Sequence, residues 1–178
     1  MASILTQRNL FWRNCAIFKK KSSMDNLFEI TTKTRELYIK FLTEIPIEKL
    51  VEIPAGFNNN IWWNAAHVAV TQQLLVYKLS GLEPHLSEAF INAYRKGSVP
   101  ETNYVPTQEE VDRLKASLIE LIARTKADMG LGVFKAYEPY LTSAGVTLNN
   151  VTDAMTFNLV HEGMHIGSIL ALKKALGI

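Results

Sequence analysis

Two histidines near the end of the chain lie four residues apart, in the segment Val160-His161-Glu162-Gly163-Met164-His165. On a helix this spacing places both imidazoles on one face, about 6 Å apart along the axis. Two imidazoles in that arrangement can bind one divalent cation at about 2.0–2.1 Å, as they do in many helical zinc sites. The pair therefore predicts a metal site on the last helix of the chain.

The same segment matches the metalloprotease pattern HExxH, in which the glutamate beside the first ligand activates a metal-bound water. In such proteases the third metal ligand lies further along the chain. Here residues 166–178 contain no His, Cys, Asp or Glu. The protease site is incomplete for that reason, and a third ligand has to come from an earlier segment.

His67 is the best candidate for the third ligand, because it lies in the middle of a strongly apolar helical segment. It shares a helix face with Trp63 and Asn64, and that face is expected to point into a helical bundle. His85 is a weaker candidate, since it lies in a predicted surface loop where a solvated histidine is the simpler interpretation. Three neutral histidines would leave a coordination position for water or substrate, which is typical of catalytic metal sites.

Three polar side chains beside the histidines allow more than one role. Asn64 and Asn158 each precede a proposed ligand by three residues, so either amide can orient an imidazole, contact substrate or simply be a polar helix residue. Glu162 adjoins His161 and is turned about 100° around the helix from it. It can act as a base near the metal, or face another helix or a second subunit. Asn64 and Glu162 are accordingly the candidate catalytic residues.

Four long helices are predicted to position these residues, because apolar residues recur at three- and four-residue steps between capping and stop signals. The sequence shows no alternation of strands with helices and no hairpin dipeptide. It therefore predicts an all-α fold, a four-helix bundle with short helices in its loops. The long helices are expected at about 25–44, from the asparagines at 58–60 to Gly81, from the capping box Thr107–Glu110 to near Gly130, and from Asn149 or Asn150 to Gly177.

The first predicted helix has one apolar stripe that we expect to be buried. The segments between the long helices are less regular: prolines bound a connection at 46–54, a short helix is expected at 87–95, and about twenty residues before the last helix have no clear pattern. The stripe of the first helix consists of Leu27, Ile30, Thr34, Leu37, Phe41 and Ile45.

The charge of the chain is distributed unevenly. Residues 1–23 carry five basic side chains and no acid, whereas residues 24–178 hold 14 Lys or Arg against 17 Asp or Glu, a net charge of −3. This argues against nucleic acid as a partner, because phosphate recognition needs a clustered basic face. We interpret residues 1–23 as an unstructured basic extension, either a transit-like presequence or upstream translation before a start at Met24, and favour the second. Residues 24–178 are then the metal-binding domain.

The composition is that of one globular domain. The chain has 178 residues, of which 48% are hydrophobic and 20% charged, enough for a sizeable buried core. No stretch approaches the roughly 18 consecutive apolar residues of a membrane-spanning helix, which predicts a soluble protein with no membrane partner. Cys15 is the only cysteine, so no intramolecular disulfide can form, any metal must be held by nitrogen and oxygen, and a reducing, cytoplasmic location fits best.

The two segments that carry the proposed ligands resemble those of a known family. A histidine follows an asparagine and aromatic lead-in, Asn60-Ile-Trp-Trp-Asn-Ala-Ala-His67, and the last helix carries the pattern HxxxHxG at residues 161–167. This resembles the DinB-like superfamily of damage-inducible four-helix-bundle proteins. The resemblance covers essentially all of residues 24–178 in helix number and spacing, although its specific residues are confined to these two motifs.

The resemblance implies one divalent metal ion, often zinc or nickel, bound by His67, His161 and His165. It also implies a homodimer, because members are often dimeric. Characterised members include thiol-dependent S-transferases and isomerases, in which the metal binds and activates a low-molecular-weight thiol. Two features depart from the family pattern: Glu162, which mimics a protease motif, and the basic extension at residues 1–23.

The leading hypothesis is a metal-dependent enzyme, an S-transferase or a hydrolase, acting on a small-molecule substrate. The metal would lower the pKa of a bound thiol or water so that a nucleophile exists at neutral pH. Glu162 would accept a proton and Asn64 would position the substrate. The alternative is a non-catalytic, dimeric bundle that binds metal or a small ligand for stability or sensing. A structural bundle with ordinary core histidines and a metalloprotease are the remaining hypotheses.

Overall fold

The computed structural model describes residues 22–178. The extension predicted at residues 1–23 therefore lies outside the described residues, except for its last two positions. Within residues 22–178 the predicted all-α fold is confirmed, and the one sheet is a β-hairpin whose strands have two residues each. The elements are α1 (Ser23–Glu44), α2 (Ile47–Val51), α3 (Ile61–Val76), a 3₁₀ turn (Lys78–Ser80), α4 (Glu88–Tyr94), α5 (Gln108–Gly130), β1 (Tyr140–Leu141), β2 (Thr147–Leu148) and α6 (Val151–Leu176).

The helices begin where the sequence offers capping oxygens. The side chain of Asn60 accepts a hydrogen bond from the Trp63 amide at 2.8 Å at the start of α3, and Asn150 caps α6 in the same way. Thr107 and Glu110 form the predicted reciprocal capping box at the start of α5. These bonds satisfy amide groups that have no partner inside the helix, which fixes the first residue of each helix.

The long helices α1, α3, α5 and α6 form the bundle, and its centre is α3. This helix packs chiefly against α6, while α1 packs against both α5 and α6. Every residue of α3 except Thr71 and Leu74 is buried, as expected of a helix that is apolar nearly all round. No helix in the range covered by the structure has both the length and the hydrophobicity required to cross a membrane.

The buried face of α1 differs from the predicted stripe. Ile30 and Leu37, both in the predicted stripe, are 51% and 46% exposed. For these two residues the prediction was wrong, whereas Ile45 of the same stripe is buried. Thr31 and Arg35 are buried instead, through hydrogen bonds to the Leu27 carbonyl and to groups of α3 and α6 respectively, and an apolar pattern cannot indicate such partners. The residues that α1 buries are Phe28, Thr31, Arg35, Tyr38 and Leu42.

The positions of one short helix and of a hairpin were not predicted. α2 occupies the segment between the prolines at 46 and 54, and β1 pairs antiparallel with β2 in the irregular stretch before α6. The hairpin has no two-residue turn signal; its longer turn is closed by a hydrogen bond from the Thr142 amide to the Val146 carbonyl and by Gly145 at φ +78°. This hairpin matters for function, because it covers one side of a cavity beside the histidines.

Candidate metal centre

The packing of α3 against α6 brings His67, His161 and His165 together. His67 lies in the middle of α3, and the other two lie one turn apart on α6. The three residues form a group whose ligand atoms all lie within 4.8 Å of one another. The Nε2 atom of His161 is 3.3 Å from Nε2 of His67 and 3.1 Å from Nε2 of His165. Three ring nitrogens therefore converge on one point.

These separations fit a single metal ion. Two nitrogens that each lie about 2.0–2.1 Å from a tetrahedral zinc ion are about 3.3–3.4 Å apart, and neighbouring ligands of an octahedral ion are about 2.9 Å apart. The observed 3.1 and 3.3 Å lie within this range. The three side chains consequently need little movement to share one ion.

In His67 and His165, a hydrogen bond to Nδ1 determines which ring nitrogen keeps the lone pair that can bind a metal. Nδ1 of His67 lies 2.6 Å from the carbonyl oxygen of Tyr94, and Nδ1 of His165 lies 2.7 Å from Oδ1 of Asn64. Asn64 is oriented in turn, because its Nδ2 donates to the Asn60 carbonyl at 2.7 Å. Both partner atoms are acceptors, so both Nδ1 atoms carry the proton and both Nε2 atoms keep a lone pair. Such outer hydrogen bonds are typical of metal-binding histidines.

His161 is held differently. Its Nδ1 is buried and has no hydrogen-bond partner among residues 22–178. The tautomer of His161 therefore depends only on the groups around its Nε2 atom. That atom faces two nitrogens that are both acceptors, and it can donate its single proton to only one of them. A cation between the three rings would meet all three lone pairs at once, so the donor set fits a metal ion.

The three histidines are neutral near pH 7. Burial, and then the neighbouring imidazoles, lower the pKa of His161 to about 3. The same two causes lower the pKa of His165 to about 4, and burial lowers the pKa of His67. Neutral imidazole is the form that binds a metal, so the protein presents three ligands with no positive charge that a cation would have to displace.

Asn64 occupies a position next to His165, where the sequence allowed either an orienting or a substrate-contacting role. Its amide is fully buried and holds the His165 ring. We expect Asn64→Ala to weaken zinc binding by about 10–100-fold, as losses of outer hydrogen bonds to metal ligands do. Competition with a chromophoric chelator measures the affinity, and Asn92→Ala on the exposed side of α4 is the matched control. Equal affinity in both variants would contradict this role.

Glu162 is fully buried and faces α1. Its Oε1 accepts hydrogen bonds from Arg35 Nε at 2.8 Å and from Asn158 Nδ2 at 2.6 Å, and Arg35 also donates to the Val68 carbonyl at 3.1 Å. Of the alternatives that the sequence left open, contact with another helix is what the structure shows. Glu162 does not line the cavity beside the histidines, so the structure adds no support for a role as proton acceptor.

Sequence reasoning missed three partners of the site. Thr71 follows His67 by one helical turn, and its hydroxyl lies 3.1 Å from Nε2 of His67; the four-residue spacing was a signal that could have found it. Tyr94 acts through its backbone carbonyl, for which a sequence carries no signal. Arg35 was hidden because its partner is 127 residues away. His85, the weaker ligand candidate, is not in the group and lies beside Tyr77 and Asp128 instead.

A cavity of about 250 Å³ opens beside the cluster and gives a small molecule access to it. His67 and His161 form part of its lining, together with Thr71 and Leu74, the two residues of α3 that are not buried. Trp63 stacks on the His67 ring at 4.5 Å with an angle of 12° between the planes. The site is therefore open on one side and packed against aromatic and helical residues on the other.

Comparison with known proteins points to one family. A family model described as the DinB superfamily matches residues 30–169. This range is well over half of the chain and includes all three clustered histidines. No curated protein matches the chain.

Proposed function

This chain belongs to the DinB superfamily, and from that premise we propose that it is an enzyme whose His67, His161 and His165 hold one divalent metal ion. The superfamily and the three-histidine cluster fit a metal-binding protein. The observation that carries the proposal is the convergence of the Nε2 atoms of three neutral imidazoles beside an open cavity. Three protein ligands and an accessible remaining position are typical of catalytic metal sites.

Zinc or nickel is the proposed metal, because imidazole ligands suit both ions. An ion bound there supplies positive charge that lowers the pKa of a thiol or a water molecule, so that a nucleophile exists near neutral pH. Tyr94 and Asn64 hold two of the ligand rings in place. The Thr71 hydroxyl lies at the cavity wall, where it can donate a hydrogen bond to a substrate once His67 Nε2 is occupied.

The proposed reaction is transfer of a low-molecular-weight thiol to an electrophilic small molecule, with hydrolysis as the second reaction type. The test uses zinc-loaded and nickel-loaded protein, a thiol with 1-chloro-2,4-dinitrobenzene, and separately a nitrophenyl ester. We expect metal-dependent turnover in the wild type and in the control His85→Ala, and none in His165→Ala. Metal-loaded protein that turns over neither substrate class would favour the alternative, a bundle that binds metal without catalysis.

A homodimer is part of the proposal, and an exposed apolar stripe on α6 supports it. Val160, Met164 and Leu170 are 59%, 54% and 52% exposed, and a β-carbon added at Gly163 or Gly167 between them would meet no atom. An exposed face of this kind can pack against its own copy around a two-fold axis. We therefore propose that a second copy of the chain packs against this stripe.

Charge placed in that stripe is expected to separate the subunits. In a dimer, Val160→Lys would bury an ammonium group against an apolar surface. The solution mass of this variant should therefore fall from that of a dimer to that of a monomer. Light scattering after size-exclusion chromatography measures the mass. Leu131→Lys is the control, because Leu131 is 79% exposed at the end of α5. A wild type that is already monomeric at high concentration would contradict the assignment.

A further inference from the structure

The cavity beside the histidines is bounded by α3, α6 and the hairpin. Its volume of about 250 Å³ is below the roughly 300–1,000 Å³ of pockets that hold drug-sized ligands. The ligand that fits is accordingly a small metabolite and not a peptide or an oligosaccharide.

Most of the cavity wall is hydrocarbon. Leu74, Leu75, Leu79, Phe157 and Met164 all belong to the lining. Apolar surface of this kind gains free energy when it is removed from water by an apolar ligand. At least part of the ligand is therefore expected to be a hydrocarbon chain or ring.

The charged groups of the cavity all have one sign. Lys78, in the 3₁₀ turn after α3, and Lys96, after α4, both belong to the lining, whereas no Asp or Glu within the described chain does. Neither lysine forms an ion pair with an acid of residues 22–178. A divalent ion bound by the histidines in the wall would add charge of the same sign. The cavity consequently favours an anion.

The kind of anion follows from what else the lining offers. Among residues 22–178, the lining contains no arginine and no N-terminus of an α-helix, two groups that bind phosphate through several hydrogen bonds. Two lysines and the Ser143 hydroxyl are sufficient for a carboxylate. Carboxylate is the group that these donors match best.

From this arrangement we propose that the substrate is a small amphipathic carboxylate, with its hydrocarbon part against the leucine and phenylalanine side chains and its carboxylate held by Lys78 and Lys96. The inference rests on the proposed function, because it assigns a substrate class to the cavity of the same metal centre. It goes beyond that function by naming the groups that select the substrate, none of which is a metal ligand.

The test compares three probes with the same six-carbon chain: hexanoate, hexyl phosphate and hexan-1-ol. Each is titrated into zinc-loaded full-length protein, and the dissociation constant is measured from NMR chemical-shift changes. We expect hexanoate to bind at least about tenfold more tightly than hexan-1-ol, and its binding to weaken as the salt concentration rises. Tighter binding of hexyl phosphate than of hexanoate would overturn the choice of carboxylate.

Variants of the two lysines locate the interaction. Lys78→Gln and Lys96→Gln should each weaken hexanoate binding about two- to fivefold, since each removes one partly solvated charge pair. Hexan-1-ol binding should not change, and Lys40→Gln on the exposed side of α1 is the matched control. Hexanoate affinity that is unchanged in the double variant but lost without zinc would place the carboxylate on the metal and overturn the proposal.

The zinc content of every sample is measured alongside. One zinc per chain with no preference for the anion would overturn the substrate class and leave the metal centre intact. A folded protein that takes up no zinc on reconstitution, yet binds hexanoate, would instead overturn the proposed metal centre, and with it the assignment of this anion as a substrate. The two failures are thus distinguishable in one set of samples.

Discussion

Replacing Arg35 with methionine is expected to lower the free energy of unfolding by about 3–5 kcal/mol, because it leaves the Glu162 carboxylate buried without a countercharge. Both side chains are 0% exposed, and they form a salt bridge at 2.8 Å. The pair joins α1 to α6, the helix that carries two of the three histidines. Urea-induced unfolding monitored by circular dichroism measures the change.

A double variant separates the charge from the packing. In Arg35→Met with Glu162→Gln no charge is left in the core, so we expect the double variant to recover a large part of the loss seen in each single variant. Lys33→Met is the matched control on the same helix. The side chains of its ion pair with Glu36 are 67% and 48% exposed, and such pairs contribute little. A loss as small as that of the control would show that the buried pair does not stabilise the bundle.

The second large effect concerns stability with metal. Zinc that binds only the folded state, at about 100 times its dissociation constant, stabilises a protein by about 2.7 kcal/mol. For a domain of this size that raises the unfolding temperature by about 5–10 °C. His161→Ala removes the ligand that faces both other histidines, so we expect its unfolding temperature to be insensitive to zinc.

The control for that experiment is His85→Ala, which removes a histidine outside the cluster. It should show the same rise in unfolding temperature with zinc as the wild type in differential scanning calorimetry. A rise that persists in His161→Ala would mean that zinc binds elsewhere, and the assignment of the ligands would then be wrong.

Much of the fold could be predicted because its signals are local. The starts of α3, α5 and α6 follow from Asn60, Thr107 and Asn150, whose side chains cap residues only three positions away. The all-α class and the family follow from the same helices and two short motifs, and both are confirmed.

The candidate ligands could be predicted for a related reason. His161 and His165 are one turn apart, so their common face needs no tertiary information. His67 is an ionisable residue inside an apolar helix, and burial of such a group requires a partner. The sequence could suggest that the three histidines lie close together. The structure supplies the distances of 3.1 and 3.3 Å between their Nε2 atoms.

The remaining features depend on contacts between distant residues. Arg35 is not among the residues that the sequence predicts to be buried, because nothing near it in the chain reveals that Glu162 lies opposite. The predicted burial of Ile30 and Leu37 fails for the same reason, since apolar periodicity cannot account for a buried ion pair. The cavity lysines at 78 and 96 likewise come together only through the fold.

The most direct test of the account is the metal content of the untagged, full-length protein. Mass spectrometry of the elements, combined with amino-acid analysis, gives the number of ions per chain after purification and after reconstitution with zinc or nickel. The account predicts about one zinc or nickel ion per chain in the wild type. A folded wild-type protein that retains no zinc or nickel after reconstitution would contradict it, and the three histidines would then be ordinary residues of the bundle core.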